Sequence, residues 1–146
     1  MSDLAQLYQS VILDHNRNPR NFRVLEDADG QAEGYNPLCG DRVKVWVKVE
    51  GDQVTDVSFE GTGCALSKAS ASLMTTAIKG KSRAEVERLF GMFRELITGK
   101  SAPGGTREQL GKLAVFSGVA EFPSRVKCAS MAWHALQSAL DASNQE

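Results

Sequence analysis

The sequence predicts an α+β domain in which helices cover one face of a small antiparallel sheet. Two segments with the alternating pattern of strands lie next to each other, at 42–50 and 54–61, and most segments with helical periodicity follow them. The 146 residues are 42% hydrophobic, enough to bury a core without disulfide bonds. We therefore expect one compact domain over residues 1–146.

The strand prediction comes from two stretches, RVKVWVKVE and VTDVSFEG. The first stretch places four valines on one face: Val43, Val45, Val47 and Val49. A hairpin with the three-residue turn 51–53 sets Val57 opposite Val47 and Phe59 opposite Val45, so that the apolar faces coincide. A two-residue turn would set Asp56 and Ser58 opposite valines, and we reject it on that ground.

The helix predictions combine apolar periodicity with capping signals. A first helix precedes the stretch DHNRNPRNF, and another covers 65–79, where the small residues ASAS leave room for a close neighbour. A third helix begins at a Ser82 cap and stops at Gly99, a short one begins at a Thr106 cap, and the last begins at a Ser124 cap. The last helix directs these residues to the core: Val126, Ala129, Trp133, Leu136 and Leu140.

Charge and composition narrow the class of protein. The formal net charge of −1 gives no support to nucleic-acid binding, because phosphate-binding domains usually carry a clear basic excess. No apolar run approaches the ~20 residues of a membrane-spanning helix, and the N-terminal residues lack the pattern of a secretory signal. Three cysteines, an odd number, fit a disulfide framework poorly. We expect a cytoplasmic protein whose cysteines serve a metal or catalysis.

Two of the cysteines fall in stretches that the predicted hairpin brings together, CGD and GTGC. The register that pairs Val43 with Gly61 sets Asp41 opposite Gly63, and it sets Cys64 diagonally between Cys39 and Asp41. Diagonal neighbours in a sheet lie ~7–8 Å apart at the backbone, which allows their side chains to converge on one ion. The two stretches therefore look like facing halves of one site.

The third cysteine, Cys128, falls in the predicted first turn of the last helix, and Cys64 begins another helix. Helix N-termini favour anions, so both thiols should be biased toward thiolate. Three thiolates and one carboxylate suit tetrahedral zinc. Taken alone, the residues also allow three unrelated buried cysteines and an Asp41 that only bonds the backbone of a turn.

The remaining polar candidates have simpler interpretations. His15 and His134 are expected to cap or pack rather than bind a metal. Trp46, on the outer face of its strand, either covers a helix or marks a contact surface, and we favour packing. Arg125 and Lys127 come shortly before the third cysteine, where they belong to a solvated helix start or hold a thiolate or an anionic intermediate by charge.

Four stretches together carry a resemblance to a known family: DHNRNPRNF, NPLCGD, GTGCALSKASASLMT and FPSRVKCASMAWHAL. With them the sequence resembles, over almost its whole length, the SufU/IscU family of iron–sulfur cluster assembly proteins, related to the N-terminal part of nitrogenase-maturation scaffolds. It departs from the IscU pattern by having Lys127 where a histidine stands, and by lacking the LPPVK chaperone motif. The additional stretch GMFRELITGKSAPGGTREQLGKL places it in the SufU-type branch.

The resemblance implies a fold, a metal site and a partner. The fold would be a three-stranded antiparallel sheet with helices on one face, and Zn²⁺ would be bound by Cys39, Asp41, Cys64 and Cys128. Cys39 would accept persulfide sulfur from a PLP-dependent cysteine desulfurase of the SufS type, while a histidine of that partner takes its place on zinc. The chain would act as a zinc-dependent sulfurtransferase that relays sulfur to a downstream iron–sulfur scaffold.

Two other functions fit the same residues. The chain would be a scaffold if a transient [2Fe–2S] cluster is built on its three cysteines and handed on. It would be a non-catalytic adapter if the zinc is structural and only binding to the desulfurase matters.

Overall fold

The computed structural model describes residues 2–37, 40–98, 110–121 and 123–143. Its elements in chain order are α1 (Ser2–Arg17), β1 (Gly30–Asn36), β2 (Asp41–Glu50), β3 (Gln53–Thr62), α2 (Ala65–Ile78), α3 (Arg83–Ile97), a 3₁₀ helix (Gly111–Glu121) and α4 (Pro123–Ser143). The strands form an antiparallel sheet in the order β1-β2-β3, with α2 and α4 packed against it. The predicted α+β architecture is confirmed.

The β2–β3 hairpin has the predicted register but not the predicted turn. Three pairs are as expected: Val43 with Gly61, Val45 with Phe59, and Val47 with Val57. The turn, however, is the two-residue loop Gly51–Asp52, which the sequence had led us to reject. A β-bulge beside Lys48 and Val49 leaves Thr55 unpaired and shifts the register by one residue. The bulge therefore restores the match between the apolar faces that a two-residue turn would otherwise destroy.

Strand β1 has no apolar alternation, so no local pattern had located it. Two of its glycines explain its composition, because α4 lies directly on the strand. A Cβ atom at Gly30 would collide with the carbonyl oxygen of Ala139, and one at Gly34 would lie 3.0 Å from Cγ of Met131. The strand is glycine-rich because the helix approaches it closely.

Helix α2 is the central helix, and its small residues allow close contact on several sides. Four consecutive residues are completely buried: Ala69, Ser70, Ala71 and Ser72. The helix packs against α1, α4 and β3, and the Ser70 hydroxyl donates to the Ala129 carbonyl across the contact with α4, at 2.5 Å. The predicted role of the ASAS stretch is confirmed.

Helix starts follow the predicted signals in part. The Ser82 side chain caps α3 by accepting a hydrogen bond from the Glu85 backbone N–H at 3.2 Å. Helix α4 begins at Pro123 rather than after a Ser124 cap, because proline lacks an N–H and fits the first helical position. The predicted Gly99 stop and Thr106 cap lie outside the described residues.

The core lies between the sheet and the helices. Phe93 stacks on Trp133 with ring centroids 5.0 Å apart, and both side chains are fully buried. On the outer face of the sheet, Trp46 is only 6% exposed, because the chain crosses that face between backbone hydrogen bonds at Arg23 and Asp29. The packing interpretation of Trp46 is confirmed, but the segment that crosses it connects α1 to β1 and is not a helix. No helix within the described ranges has the length and hydropathy that crossing a membrane requires.

Candidate metal centre

Three of the predicted ligands meet at one end of the sheet. Asp41 opens β2, Cys64 is the N-cap residue of α2, and Cys128 lies in α4; one ligand atom from each lies within 4.8 Å of the others. Cys39, the fourth predicted ligand, lies outside the described residues, two positions before Asp41. The hairpin register and the placement of α4 therefore produce the convergence.

Both sulfur atoms contact the same carboxylate oxygen. The Cys64 Sγ lies 3.4 Å from Oδ2 of Asp41, and the Cys128 Sγ lies 3.5 Å from it. With neutral thiols these contacts are hydrogen bonds in which each thiol donates to the carboxylate. With thiolates they place three ligand atoms around a common point.

The separations fit a tetrahedral metal ion. Zinc binds cysteine sulfur at ~2.3 Å and carboxylate oxygen at ~2.0–2.2 Å, so a tetrahedral S–Zn–O angle spaces the two ligand atoms by about 3.5–3.7 Å. The two observed sulfur–oxygen distances, 3.4 and 3.5 Å, are close to this spacing. Thiolate with carboxylate is also a donor set that zinc accepts. The residues present fit the ion that the sequence resemblance implies.

The Asp41 carboxylate is held by the start of α2. Its Oδ1 accepts a hydrogen bond from the Cys64 backbone N–H at 3.0 Å, and its Oδ2 accepts one from the Ser67 hydroxyl at 2.7 Å. Gly63 makes room for it, because a Cβ atom there would lie 2.6 Å from Cγ of Asp41, and the Gly63 φ of +152° disfavours other residues. The positive end of the α2 dipole further favours a negative group at this place.

The turn that leads to Asp41 is also defined by its ends. Asn36 pairs with Asp41 as the last pair between β1 and β2, and the Gly40 N–H donates to the Asn36 carbonyl at 2.8 Å. Gly40 has a φ of +73°, which glycine adopts without strain. Asn36 and Asp41, at the two ends of this turn, are thus held together at the edge of the cluster.

Burial differs sharply among the three candidate ligands. Asp41 is 1% exposed and Cys128 is 7% exposed, whereas Cys64 is exposed to solvent. Cys128 also lies five residues beyond Pro123, in the second turn of α4, so the expectation that it sits in the first turn is wrong. Of these two cysteines, Cys64 is therefore the one that lies at a helix N-terminus. The cluster is open on the side of Cys64.

The two histidines lie away from this cluster. His15 is 3% exposed, and its Nδ1 lies 2.7 Å from the Ser72 hydroxyl; burial, helped by the charges of Arg20 and Lys112, lowers its pKa. The His134 ring meets the Phe90 ring edge-on at 5.2 Å, and burial lowers its pKa as well. Both have the packing roles that the sequence favoured.

Arg125 and Lys127 are exposed on α4, three positions and one position before Cys128 in the sequence. Lys127 lines a groove of about 400 Å³ together with Tyr35, Met131 and His134. A role for either cation in holding a thiolate or an anionic intermediate stays a prediction.

Sequence reasoning missed Ser67. It is buried, it donates to Asp41, and its Oγ also lies 3.4 Å from Sγ of Cys64. A signal was present: Ser67 is the third residue after the N-cap residue Cys64, the position from which a polar side chain reaches back over a helix start.

Comparisons with known proteins agree with this geometry. The profile of the family described as NifU-like N terminal domain matches residues 7–129. The zinc-dependent sulfurtransferase SufU of Bacillus subtilis (strain 168) is 43% identical over 136 residues, which cover 93% of this chain and 90% of that protein. The iron–sulfur cluster assembly scaffold protein IscU of Streptococcus pyogenes serotype M1 is 38% identical over 140 residues, covering 96% and 86%.

Solved structures give the same result. FiSufU of Fervidobacterium islandicum AW-1, assigned to iron–sulfur cluster assembly for the SUF system, superimposes with a TM-score of 0.84 at 33% identity, covering 92% of this chain and 97% of that one. The N-terminal part of a NifU-like protein from Brucella abortus has a TM-score of 0.84 at 24% identity, covering 95% of each chain. The second likeness concerns the fold alone.

Proposed function

Since this chain belongs to the NifU-like N-terminal domain family, as a SufU/IscU-type protein of iron–sulfur cluster assembly, we propose that it acts there as a zinc-dependent sulfur acceptor. It would take persulfide sulfur from a PLP-dependent cysteine desulfurase of the SufS type and relay it to a downstream iron–sulfur scaffold. The relative with 43% identity, named a zinc-dependent sulfurtransferase, supports this choice within the family.

The observation that carries the proposal is the convergence of Asp41, Cys64 and Cys128 at spacings suited to a tetrahedral ion. Together with Cys39 these residues would hold Zn²⁺. When bound, zinc keeps a cysteine as its thiolate without taking or giving electrons, because the ion has no redox chemistry.

Cys39 is the residue we assign to accept sulfur. Only Gly40 separates it from Asp41 in the sequence, in the short connection between Asn36 and Asp41, which form the last pair of β1 and β2. Asp41 and Cys128 are buried in the cluster, whereas Cys64 marks the side that a partner can reach. A partner would approach from that side.

The sulfur transfer balances without an added oxidant or reductant. The Cys39 thiolate attacks the outer sulfur of the partner's cysteine persulfide. A new S–S bond forms at Cys39, the S–S bond of the partner breaks, and its cysteine leaves as a thiolate that takes up a proton from solvent. The transferred sulfur keeps its oxidation state, and Cys39 ends as a persulfide that can donate in the same way.

A scaffold function is the second candidate, in which a transient [2Fe–2S] cluster is built on the same cysteines. It is favoured by the relatives named IscU, one of which is 38% identical over 140 residues. Cysteine thiolates bind both zinc ions and such clusters. The metal content of the purified protein therefore separates the two functions. About one zinc per chain with negligible iron supports the sulfur acceptor, whereas iron with acid-labile sulfide supports the scaffold.

The decisive experiment replaces Cys39 by serine and supplies L-cysteine and a PLP-dependent cysteine desulfurase. The wild-type chain should stimulate turnover of the desulfurase and gain the mass of one sulfur atom at Cys39. Cys39→Ser should do neither while retaining its fold by circular dichroism. Undiminished stimulation by Cys39→Ser would contradict the proposal and identify the chain as an adapter.

A further inference from the structure

Both oxygens of the Asp41 carboxylate accept a hydrogen bond from the start of α2, and the two hydrogen bonds are not equivalent. The backbone N–H of Cys64 donates to Oδ1, and the Ser67 hydroxyl donates to Oδ2. Oδ2 is also the oxygen that lies 3.4 Å from Sγ of Cys64 and 3.5 Å from Sγ of Cys128. We propose that Ser67 is a positioning residue that directs Oδ2 of Asp41 to the metal and keeps Asp41 in place during sulfur transfer, an inference that rests on the proposed zinc site.

The hydroxyl has the geometry for this role. A carboxylate oxygen can accept a hydrogen bond with one lone pair and bind a metal with the other. The Ser67 Oγ lies 2.7 Å from Oδ2 but 3.4 Å from Sγ of Cys64, so its single proton goes to the carboxylate. Hydrogen bonds to a metal ligand from a second layer of residues are the usual means by which proteins fix the ligand's orientation.

Ser67 belongs to a rigid part of the molecule. It is 6% exposed and lies in the first turn of α2, whose residues 69–72 are completely buried where the helix packs against α1, α4 and β3. Cys64, which supplies the other hydrogen bond, is the N-cap residue of the same helix. Asp41 is thus attached to α2 through both oxygens, although it belongs to β2.

This attachment decides which metal ligand is free to exchange. Asp41 is buried, both of its carboxylate oxygens accept hydrogen bonds, and Gly63 lies directly against its carboxylate. A ligand change during sulfur transfer therefore falls on a thiol and not on the carboxylate. Ser67 makes Asp41 the stationary ligand of the site.

The test compares zinc affinities of Ser67→Ala, Ser67→Thr and a matched control, Ser70→Ala. Ser70 is also a buried serine of α2, but its hydroxyl donates to the Ala129 carbonyl instead of to Asp41. Zinc affinity is measured by competition with a chromophoric chelator, and the ligand geometry is measured from the absorption spectrum of the Co²⁺-substituted protein.

We expect Ser67→Ala to weaken zinc binding by about 10–100-fold and to change the Co²⁺ spectrum, since loss of a ligand's hydrogen-bond partner typically has this effect. Ser67→Thr should restore both properties, because it keeps the hydroxyl. Ser70→Ala should bind zinc as the wild type does, even if it unfolds more easily. Affinities of Ser67→Ala within about twofold of wild type, or an equal loss in Ser70→Ala, would overturn the assignment.

A double variant gives a second test of the same assignment. In the Asp41→Ala background no carboxylate remains for Ser67 to direct, so adding Ser67→Ala should leave zinc affinity unchanged. A further loss there would overturn the proposal, because Ser67 would then act other than through Asp41. These measurements need no sulfur transfer. The Ser67 result can therefore be judged independently of the Cys39 experiment.

Discussion

Helix α2 buries polar side chains at two places, and the partners it meets there differ in chemistry. At its start lies the Asp41 cluster, which consists of Asp41, Cys64, Ser67 and Cys128. Further along lies the His15 cluster, which consists of His15, Arg20, Asn21, Ser72 and Thr75. Each cluster joins α2 to residues more than twenty positions away, so both depend on the complete fold.

The His15 cluster is complete without any added group. The Ser72 hydroxyl oxygen accepts the Arg20 N–H at 2.9 Å and shares a hydrogen bond with Nδ1 of His15 at 2.7 Å. The Asn21 amide donates to the Thr75 hydroxyl at 3.0 Å. These residues belong to the stretch DHNRNPRNF and its contacts, whose role in this chain is therefore to fasten α1 and the segment after it to α2.

The Asp41 cluster gathers groups that share one sign of charge when ionised. A buried carboxylate and two thiols meet within 4.8 Å, and one of the thiols is exposed. Buried charge is costly unless it is paired or binds a metal. Burial and hydrogen bonding alone therefore do not distinguish the two clusters. The difference is that the Asp41 cluster brings acceptors together at one point, whereas the His15 cluster pairs donors with acceptors.

The largest effect is expected when the Asp41 cluster loses its carboxylate. Asp41→Ala should reduce zinc affinity by more than about 100-fold, because even a hydrogen-bond partner of a metal ligand typically contributes 10–100-fold. Zinc per purified chain and turnover with the desulfurase measure the loss. The control is Asp29→Ala, whose carboxylate accepts a backbone hydrogen bond from Val49 at 2.7 Å. Normal zinc content and activity in Asp41→Ala would reduce Asp41 to a turn residue.

A methyl group at Gly63 should disturb the same cluster through sterics alone. Gly63→Ala places a Cβ atom against the Asp41 carboxylate and strains a backbone with φ of +152°, so we expect a loss of about 2–4 kcal/mol in the free energy of unfolding together with weaker zinc binding. Urea denaturation and chelator competition measure the two effects.

The matched control for Gly63→Ala is Gly91→Ala in α3. A Cβ atom there meets nothing within 4 Å, so alanine should raise the free energy of unfolding by about 0.5–1 kcal/mol and leave zinc binding unchanged. An equally tolerated alanine at both glycines would show that the carboxylate can move aside.

The sequence predicts the β2–β3 hairpin better than it predicts the edge strand β1. The alternation of valines determined the faces of β2 and β3, and with them the approach of Asp41 to Cys64. It could not reveal the bulge at Thr55, because a bulge changes the turn while leaving the paired faces intact. Strand β1 had no local signal, because its glycines are required by the close approach of α4, which is a tertiary contact.

The candidate metal site was likewise predictable from the sequence only in part. Register and helix starts placed Asp41 beside Cys64, but the arrival of Cys128 depends on how α4 lies on the sheet, which the residues alone left open. Ser67 was overlooked because, in the stretch ALSKASAS, it looks like one more small residue of a closely packed helix. Its partner is 26 positions away, beyond the reach of any local pattern.

The smallest predicted effect, a change of stability with pH, concerns the His15 cluster. Burial lowers the pKa of His15, with smaller contributions in the same direction from Arg20 and Lys112 and an opposing one from Asp14. In the unfolded chain the pKa returns to about 6.5, so below that pH the unfolded state binds more protons than the folded state. The stabilisation is therefore complete above about pH 6.5 and is lost as the pH falls through the lower, folded-state pKa.

This prediction separates the two clusters experimentally, because acid also releases zinc by protonating thiolates. With a chelator present throughout, the free energy of unfolding is measured by urea denaturation from about pH 8 to about pH 5 for wild type and His15→Gln. The wild type should lose stability more steeply than the variant. His134→Gln is the control: it removes the second histidine, whose pKa is also lowered by burial, but it leaves the His15–Ser72 contact in place. Parallel curves for wild type and His15→Gln would mean that the buried imidazole accepts a proton without disturbing the contact of α1 with α2, and the His15 cluster would then be no more sensitive to acid than the surface around it.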